Sequence, residues 1–171
     1  RLIMILISAI SAPLMYMISV PLYGLLKADP VWIFKVMGPL LYGSMFWALF
    51  RFLGSELGWS GRLSLGGVLV GSLYFVCLRV SWDMYRLMMG LVFILLALPL
   101  LSHEMGPRKQ ALLSSLIVLA VASDQLTGVI ILVLLGARVL AQTRRGQMNE
   151  LAKWVKIATP GATLFLLIVY A

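Results

Sequence analysis

The sequence has little of what water-soluble catalysis draws on. One cysteine (Cys77), one histidine (His103) and six acidic residues stand among 171 positions. A single cysteine permits no internal disulfide. Nor can the sequence assemble a His/Cys metal cluster, and His103 has no Ser-His-Asp set around it. No G-x-x-x-x-G-K-[ST] run occurs, which excludes a phosphate-binding loop of the ATPase kind. A signal-peptide layout with a small-residue cleavage site is not evident either. Charge is scarce overall, at 12% of residues, where a soluble domain carries about 25%.

Apolar residues take that place, at 62% of the chain with a mean hydropathy of +1.03. A core of this size cannot hide so much apolar surface, so a water-soluble globule is excluded. A bilayer core of about 30 Å takes about 20 helical residues. With short loops the length therefore allows roughly six or seven crossings. The fold class expected is an all-α polytopic transmembrane helix bundle including one short-helix hairpin. Residues 1–171 read as a single transmembrane domain. The chain opens on Arg1 and stops at Ala171 inside an apolar run, so a portion of a longer membrane protein is expected.

The first apolar run is Leu2 to Leu26, holding Pro13 and Pro21, and Lys27-Ala28-Asp29-Pro30 breaks it. Proline is tolerated in a span where neighbours satisfy the freed carbonyls, so a kinked span is expected. Further spans are expected over Pro30–Phe50, Leu63–Leu78 and Leu87–Ser102, then a charged loop at His103–Gln110, with a last run from Val155 to Ala171. Ala111 to Ala141 would be about 46 Å long as one helix, and Ser123-Asp124-Gln125 interrupts it midway.

Charge arbitrates between one long helix and a hairpin. With a hairpin, one side of the membrane collects Arg51, Arg62, Arg108, Lys109, Arg138, Arg144, Arg145, Lys153 and Lys156. The other side holds only Lys27, Lys35, Arg79 and Arg86. A single span would abolish that bias, so the hairpin is the better reading under the positive-inside rule. Loops 51–62, 103–110 and 138–156 are then expected to be cytoplasmic. The net charge of +8 becomes a topological signal beside anionic lipid rather than a nucleic-acid signal.

Gly67 and Gly71 form a G-x-x-x-G, read as ordinary packing of one helix against its neighbour within the chain. The ten methionines read as apolar filler. Trp32, Trp47, Trp59, Trp82 and Trp154 mostly fall near the expected interfaces.

The non-cytoplasmic side gathers an unusual polar set. It holds Lys27, Asp29 and Lys35; Arg79-Val80-Ser81-Trp82-Asp83-Met84-Tyr85-Arg86; and Ser123, Asp124, Gln125 and Thr127. Ionisable groups at the membrane surface invite a functional reading. A structural reading stands beside it. Asp29 before Pro30 is a normal N-cap followed by proline at the first helical position, and Asp83 and Asp124 also sit at helix starts. In the functional reading, helix N-termini with Arg79 and Arg86 would hold a phosphate. Trp82 and Tyr85 would pack a sugar or a lipid chain, with Gln125 beside them. Asp83 or Asp124 would orient a hydroxyl or assist a proton transfer.

The run Leu78-Arg79-Val80-Ser81-Trp82-Asp83-Met84-Tyr85-Arg86-Leu87-Met88-Met89-Gly90-Leu91 resembles the middle of GT-C type membrane glycosyltransferases. It is most similar in character to archaeal membrane proteins related to the dolichyl-phosphate-mannose protein mannosyltransferases, where an LR-SWD-YR-LGL pattern opens a helix on the outer face. Ser123-Asp124-Gln125-Leu126-Thr127 resembles the junction of the following pair of short helices. The likeness covers roughly two thirds of the chain, and its motifs are loose. It implies an enzyme that moves a sugar from a polyprenyl-phosphate carrier to an acceptor glycan or protein outside the membrane. No other cofactor is implied. The family's catalytic acid lies in the first outer loop, which places it upstream of Arg1 here. The sequence departs from the family at the helix junction, where His or Lys is expected and Asp124 stands.

Two readings from other classes compete. A transporter or permease bundle would place charged sites or broken helices near the midplane, in repeated halves, whereas these span centres carry almost no charge and no repeat is visible. A non-catalytic membrane subunit would need only the capping roles of the three acids.

Overall fold

A computed structural model describes residues 13–27, 29–77, 82–102, 106–144 and 148–170. These residues form helices joined by short connections: α1 (Pro13–Leu26), α2 (Pro30–Ser55), α3 (Gly61–Cys77), α4 (Trp82–Ser102), α5 (Pro107–Ser123), α6 (Gln125–Arg144) and α7 (Met148–Tyr170). No strand is present among the described residues. Three stretches, Val31–Ser55, Gln125–Arg144 and Leu151–Tyr170, are long and apolar enough to cross a membrane. The apolar parts of α1, α3 and α4 are shorter.

Local chemistry sets the helix ends. Asp29 caps α2, its Oδ1 accepting from the Val31 N–H at 2.9 Å, and Pro30 follows at the first helical position. This is the cap that the Asp-Pro pair predicts. Lys27 closes α1 in the left-handed region at φ 47°, its N–H donating to the Tyr23 carbonyl at 2.9 Å. Gly58, at φ 63°, reverses the chain between α2 and α3. Asp124 is the single residue between α5 and α6, extended at φ −161°, ψ 142°.

Several expected boundaries move outward. α2 runs on to Ser55 rather than Phe50, α5 begins at Pro107 rather than Ala111, and α6 ends at Arg144 rather than Ala141. α4 begins at Trp82 rather than Leu87, and α7 at Met148 rather than Val155. Much of what was expected as loops 51–62, 103–110 and 138–156 is therefore helical, and Arg51, Arg62, Arg108, Lys109, Arg138, Arg144, Lys153 and Lys156 lie on helices. The physical reason is that Arg and Lys are good helix formers whose long stems carry the charge away from an apolar helix. Basic residues do not by themselves end a helix.

Contacts between named residues give the relative directions. Ser114 Oγ donates to the Ile157 carbonyl at 3.2 Å, and Gly161 abuts Ile117, so α5 and α7 run parallel. Gly128 lies against Phe165, while Val139 and Val155 line one cleft, so α6 runs antiparallel to α7. α5 and α6 are thus an antiparallel hairpin, as the charge argument requires. α4 lies parallel to α6, since Gly90 touches Thr127 while Leu98 and Leu101 share a groove with Leu134 and Ala141. On the other side of the molecule α2 and α3 form a second antiparallel pair. Gly67 meets Leu53 and Trp59, Gly71 meets Leu49 and Phe46, and Tyr42 Oη donates to the Ser72 carbonyl at 2.9 Å. The G-x-x-x-G therefore serves packing within the chain.

The main core sits between α4, α5, α6 and α7, around Leu113, Ile117, Val121, Ile131, Leu135 and Trp154. A smaller cluster joins Met15 of α1 and Ile33 and Met37 of α2 to Met89 of α4. Methionines fill its irregular gaps, as their flexible thioethers allow.

Candidate functional site

The parallel α4 and α6 bring their first turns to one end of the bundle. Their register is fixed by a close approach. A Cβ added at Gly90 would fall 2.6 Å from Thr127 Cγ2, so no larger residue fits without moving α6. Thr127 is fully buried, and its Oγ1 donates within reach of two carbonyls, Ala120 at 2.9 Å and Asp124 at 2.8 Å. It thereby ties the start of α6 to the end of α5. Ser123 is also fully buried and donates to the Leu119 carbonyl at 2.7 Å. Polar side chains in an apolar environment are costly unless satisfied in this way.

Asp124 has a visible task at this junction. Its Oδ2 accepts from the N–H groups of Leu126 at 3.0 Å and Thr127 at 3.3 Å, capping α6. Its own N–H donates to the Ala120 carbonyl at 3.4 Å, ending α5. A carboxylate here also complements the positive end of the helix dipole. The structural half of the expectation is thus met for both Asp29 and Asp124. Gln125 opens α6 with an exposed side chain.

On α4, Trp82 and Asp83 occupy the first turn, and Arg79 lies outside the described residues. Tyr85 is half-buried against α2. Its ring edge, Cε1, would stand 3.0 Å from a Cβ at Gly38, so glycine makes room for it. Arg86 is also half-buried, with its Nε fully covered. Of the expected set, Tyr85 and Arg86 on α4 and Asp124 and Gln125 at the hairpin therefore lie toward one end of the bundle. The N-terminal third of α2, through Ile33, Met37 and Gly38, packs against the same part of α4.

No cluster of three His, Cys, Asp or Glu side chains able to hold a metal occurs among the described residues. Sequence reasoning missed two features that the fold makes prominent. One is the Gly90–Thr127 contact, whose signal was a glycine in an otherwise apolar helix. The other is Arg138 on α6, hidden in the expectation of a cytoplasmic loop. Its guanidinium stacks 5.5 Å from the Trp154 ring centroid. Comparison with family models, curated proteins and solved structures yields no match.

Proposed function

We propose that this chain is the membrane-embedded part of a glycosyltransferase that takes a sugar from a polyprenyl-phosphate carrier and transfers it on the non-cytoplasmic side. The shared end of α4 and α6 would be that side, and the helices would cross in alternation. The membrane reading is supported by α2. Lys35 stands 4.7 Å from the Trp32 ring centroid near its start, and Arg51 stands 5.6 Å from that of Trp47 near its end. Both tryptophans are exposed, and about 22 Å of helix separates them. Aromatic and basic residues at both ends of an apolar helix suit two membrane interfaces.

The observation that carries the transferase reading is the Gly90–Thr127 register. It sets the first turn of α6 beside the third turn of α4, with Arg86 one turn nearer the start of α4 and Asp124 capping α6. Helix N-termini with arginine attract phosphate. In this reading Arg79 and Arg86 hold the carrier phosphate, and Trp82 and Tyr85 flank the sugar or prenyl chain. Asp83 is the candidate for orienting the acceptor. Asp124 acts by holding the junction, because its carboxylate is engaged in capping. The resemblance of the Leu78–Leu91 run to GT-C transferases points the same way.

The test is transfer from a radiolabelled polyprenyl-phosphate sugar by membranes carrying the full-length protein. Replacing Arg79 and Arg86 by alanine should abolish transfer and carrier binding while leaving the protein level unchanged. Intact transfer in the double variant would sink the reading. A second reading, a non-catalytic membrane subunit, is favoured by the capping roles of Asp29 and Asp124. It predicts no transfer by any form of the protein alone, and loss of a partner complex when the α4–α6 end is altered.

A further inference from the structure

At the opposite end of the bundle, α4 and α6 leave a groove of about 310 Å³ lined by Leu98, Leu101, Leu134, Ala137, Arg138 and Ala141. Arg138 is its one charged group. The groove offers a hydrocarbon chain an apolar bed on both sides of a guanidinium.

Arg138 is held firmly. Trp154 of α7, only 5% exposed, forms a flat wall beneath the guanidinium. The Arg138 Nε is covered by the chain itself, so an anion in the groove would meet the terminal nitrogens of the guanidinium. A guanidinium remains charged and carries five donors in a fixed fork. A permanent cation among leucine and alanine side chains is expensive unless an anion meets it. Arg138 lies about 9 Å along α6 from its last residue, Arg144. In a membrane-crossing α6 its long side chain can reach from there toward the headgroups.

The surroundings match an anion. The register of α5, α6 and α7 puts Arg108, Lys109, Arg144, Lys153 and Lys156 at this same end, all of them exposed. The only acid within these three helices is Glu150. Basic pockets between membrane helices on such a side are suited to anionic headgroups.

We infer that the α4–α6 groove binds an anionic membrane phospholipid, its phosphate on Arg138 and one acyl chain along Leu98, Leu101, Leu134 and Ala137. The site depends on the membrane reading but not on the transferase reading, since it lies at the other end of the bundle.

The test is lipid retention by the full chain, measured by native mass spectrometry after exchange from mixed micelles of phosphatidylglycerol and phosphatidylcholine. Wild type should retain phosphatidylglycerol over phosphatidylcholine by about tenfold, the worth of a charge-assisted contact. Arg138→Gln should remove the preference, and Ala137→Phe should lower retention of both lipids by filling the groove. Arg144→Gln should leave the preference intact. Unchanged preference in Arg138→Gln, equal loss in Arg144→Gln, or stronger retention of polyprenyl phosphate than of phosphatidylglycerol would each overturn the inference. Thermal unfolding of each variant separates site loss from misfolding. If the Arg138 and Ala137 variants bind as expected while the Arg79/Arg86 variant transfers sugar normally, this site stands and the transferase reading falls.

Discussion

The helices α4 to α7 bury their apolar side chains against one another, whereas α3 turns most of its apolar surface outward. Leu113, Ile117, Val121, Ile131 and Leu135 are all but inaccessible. Leu63, Leu65, Leu69, Val70 and Leu73 of α3 are all more than half exposed, and Ser64 is its one buried side chain of those described. α3 is more apolar in sequence than α5, α6 and α7, so composition does not explain the difference. The difference lies in partners: α5 packs against α4, α6 and α7, while α3 leans chiefly on α2. An apolar face without a protein partner belongs against lipid or against another part of the protein. Within lipid, burial itself adds little, and close packing holds the helices together.

The largest effect should come from cutting into the packed region. Ile117→Ala is expected to cost about 2–5 kcal/mol, measured by unfolding in detergent micelles. Val70→Ala, at a site 70% exposed, should stay within about 0.5 kcal/mol. Equal losses would erase the contrast between the two regions. Next comes the α4–α6 contact. Gly90→Val should cost about 1–3 kcal/mol by overpacking against Thr127. Gly136→Ala, where nothing lies within 4 Å, should be neutral or gain up to about 1 kcal/mol from helix propensity.

A smaller effect concerns the junction. Asp124→Ala should cost about 0.5–2 kcal/mol through loss of the cap. Asp124→Asn should be close to neutral, because asparagine caps as well. A loss of transfer in the stable Asn variant would instead make the carboxylate charge itself functional. The smallest effect is Lys27→Gly, which should gain up to about 1 kcal/mol by relieving a left-handed backbone. No gain would mean that the α1 end tolerates lysine without cost.

The parts of this fold legible in sequence were those governed by local chemistry. Asp29-Pro30 announced a helix start, and Ser123-Asp124-Gln125 announced a break, because short polar side chains compete for backbone groups and cap helices. The hairpin followed from that break together with the charge bias. Helix ends in the basic segments were not legible, since Arg51, Arg108, Lys109 and Arg144 carry no signal that ends a helix. Nor were contacts between distant residues. Gly90 with Thr127, Gly161 with Ile117, and Arg138 with Trp154 depend on which faces meet, and a near-uniform apolar helix has no stripe to announce its inner face. At the candidate site, the capping role of Asp124 was legible from its place at the helix break, whereas the residues its carboxylate bonds were not.

Sidedness tests the account most directly. In a Cys77→Ser background, a single cysteine is placed at Gln125 or at Arg144, the two ends of α6. Intact cells are then treated with a membrane-impermeant thiol reagent. The account predicts labelling at position 125 from outside and at position 144 only after permeabilisation. Labelling of both positions from the same side would contradict the crossing of α6, and with it the orientation on which the proposed site depends.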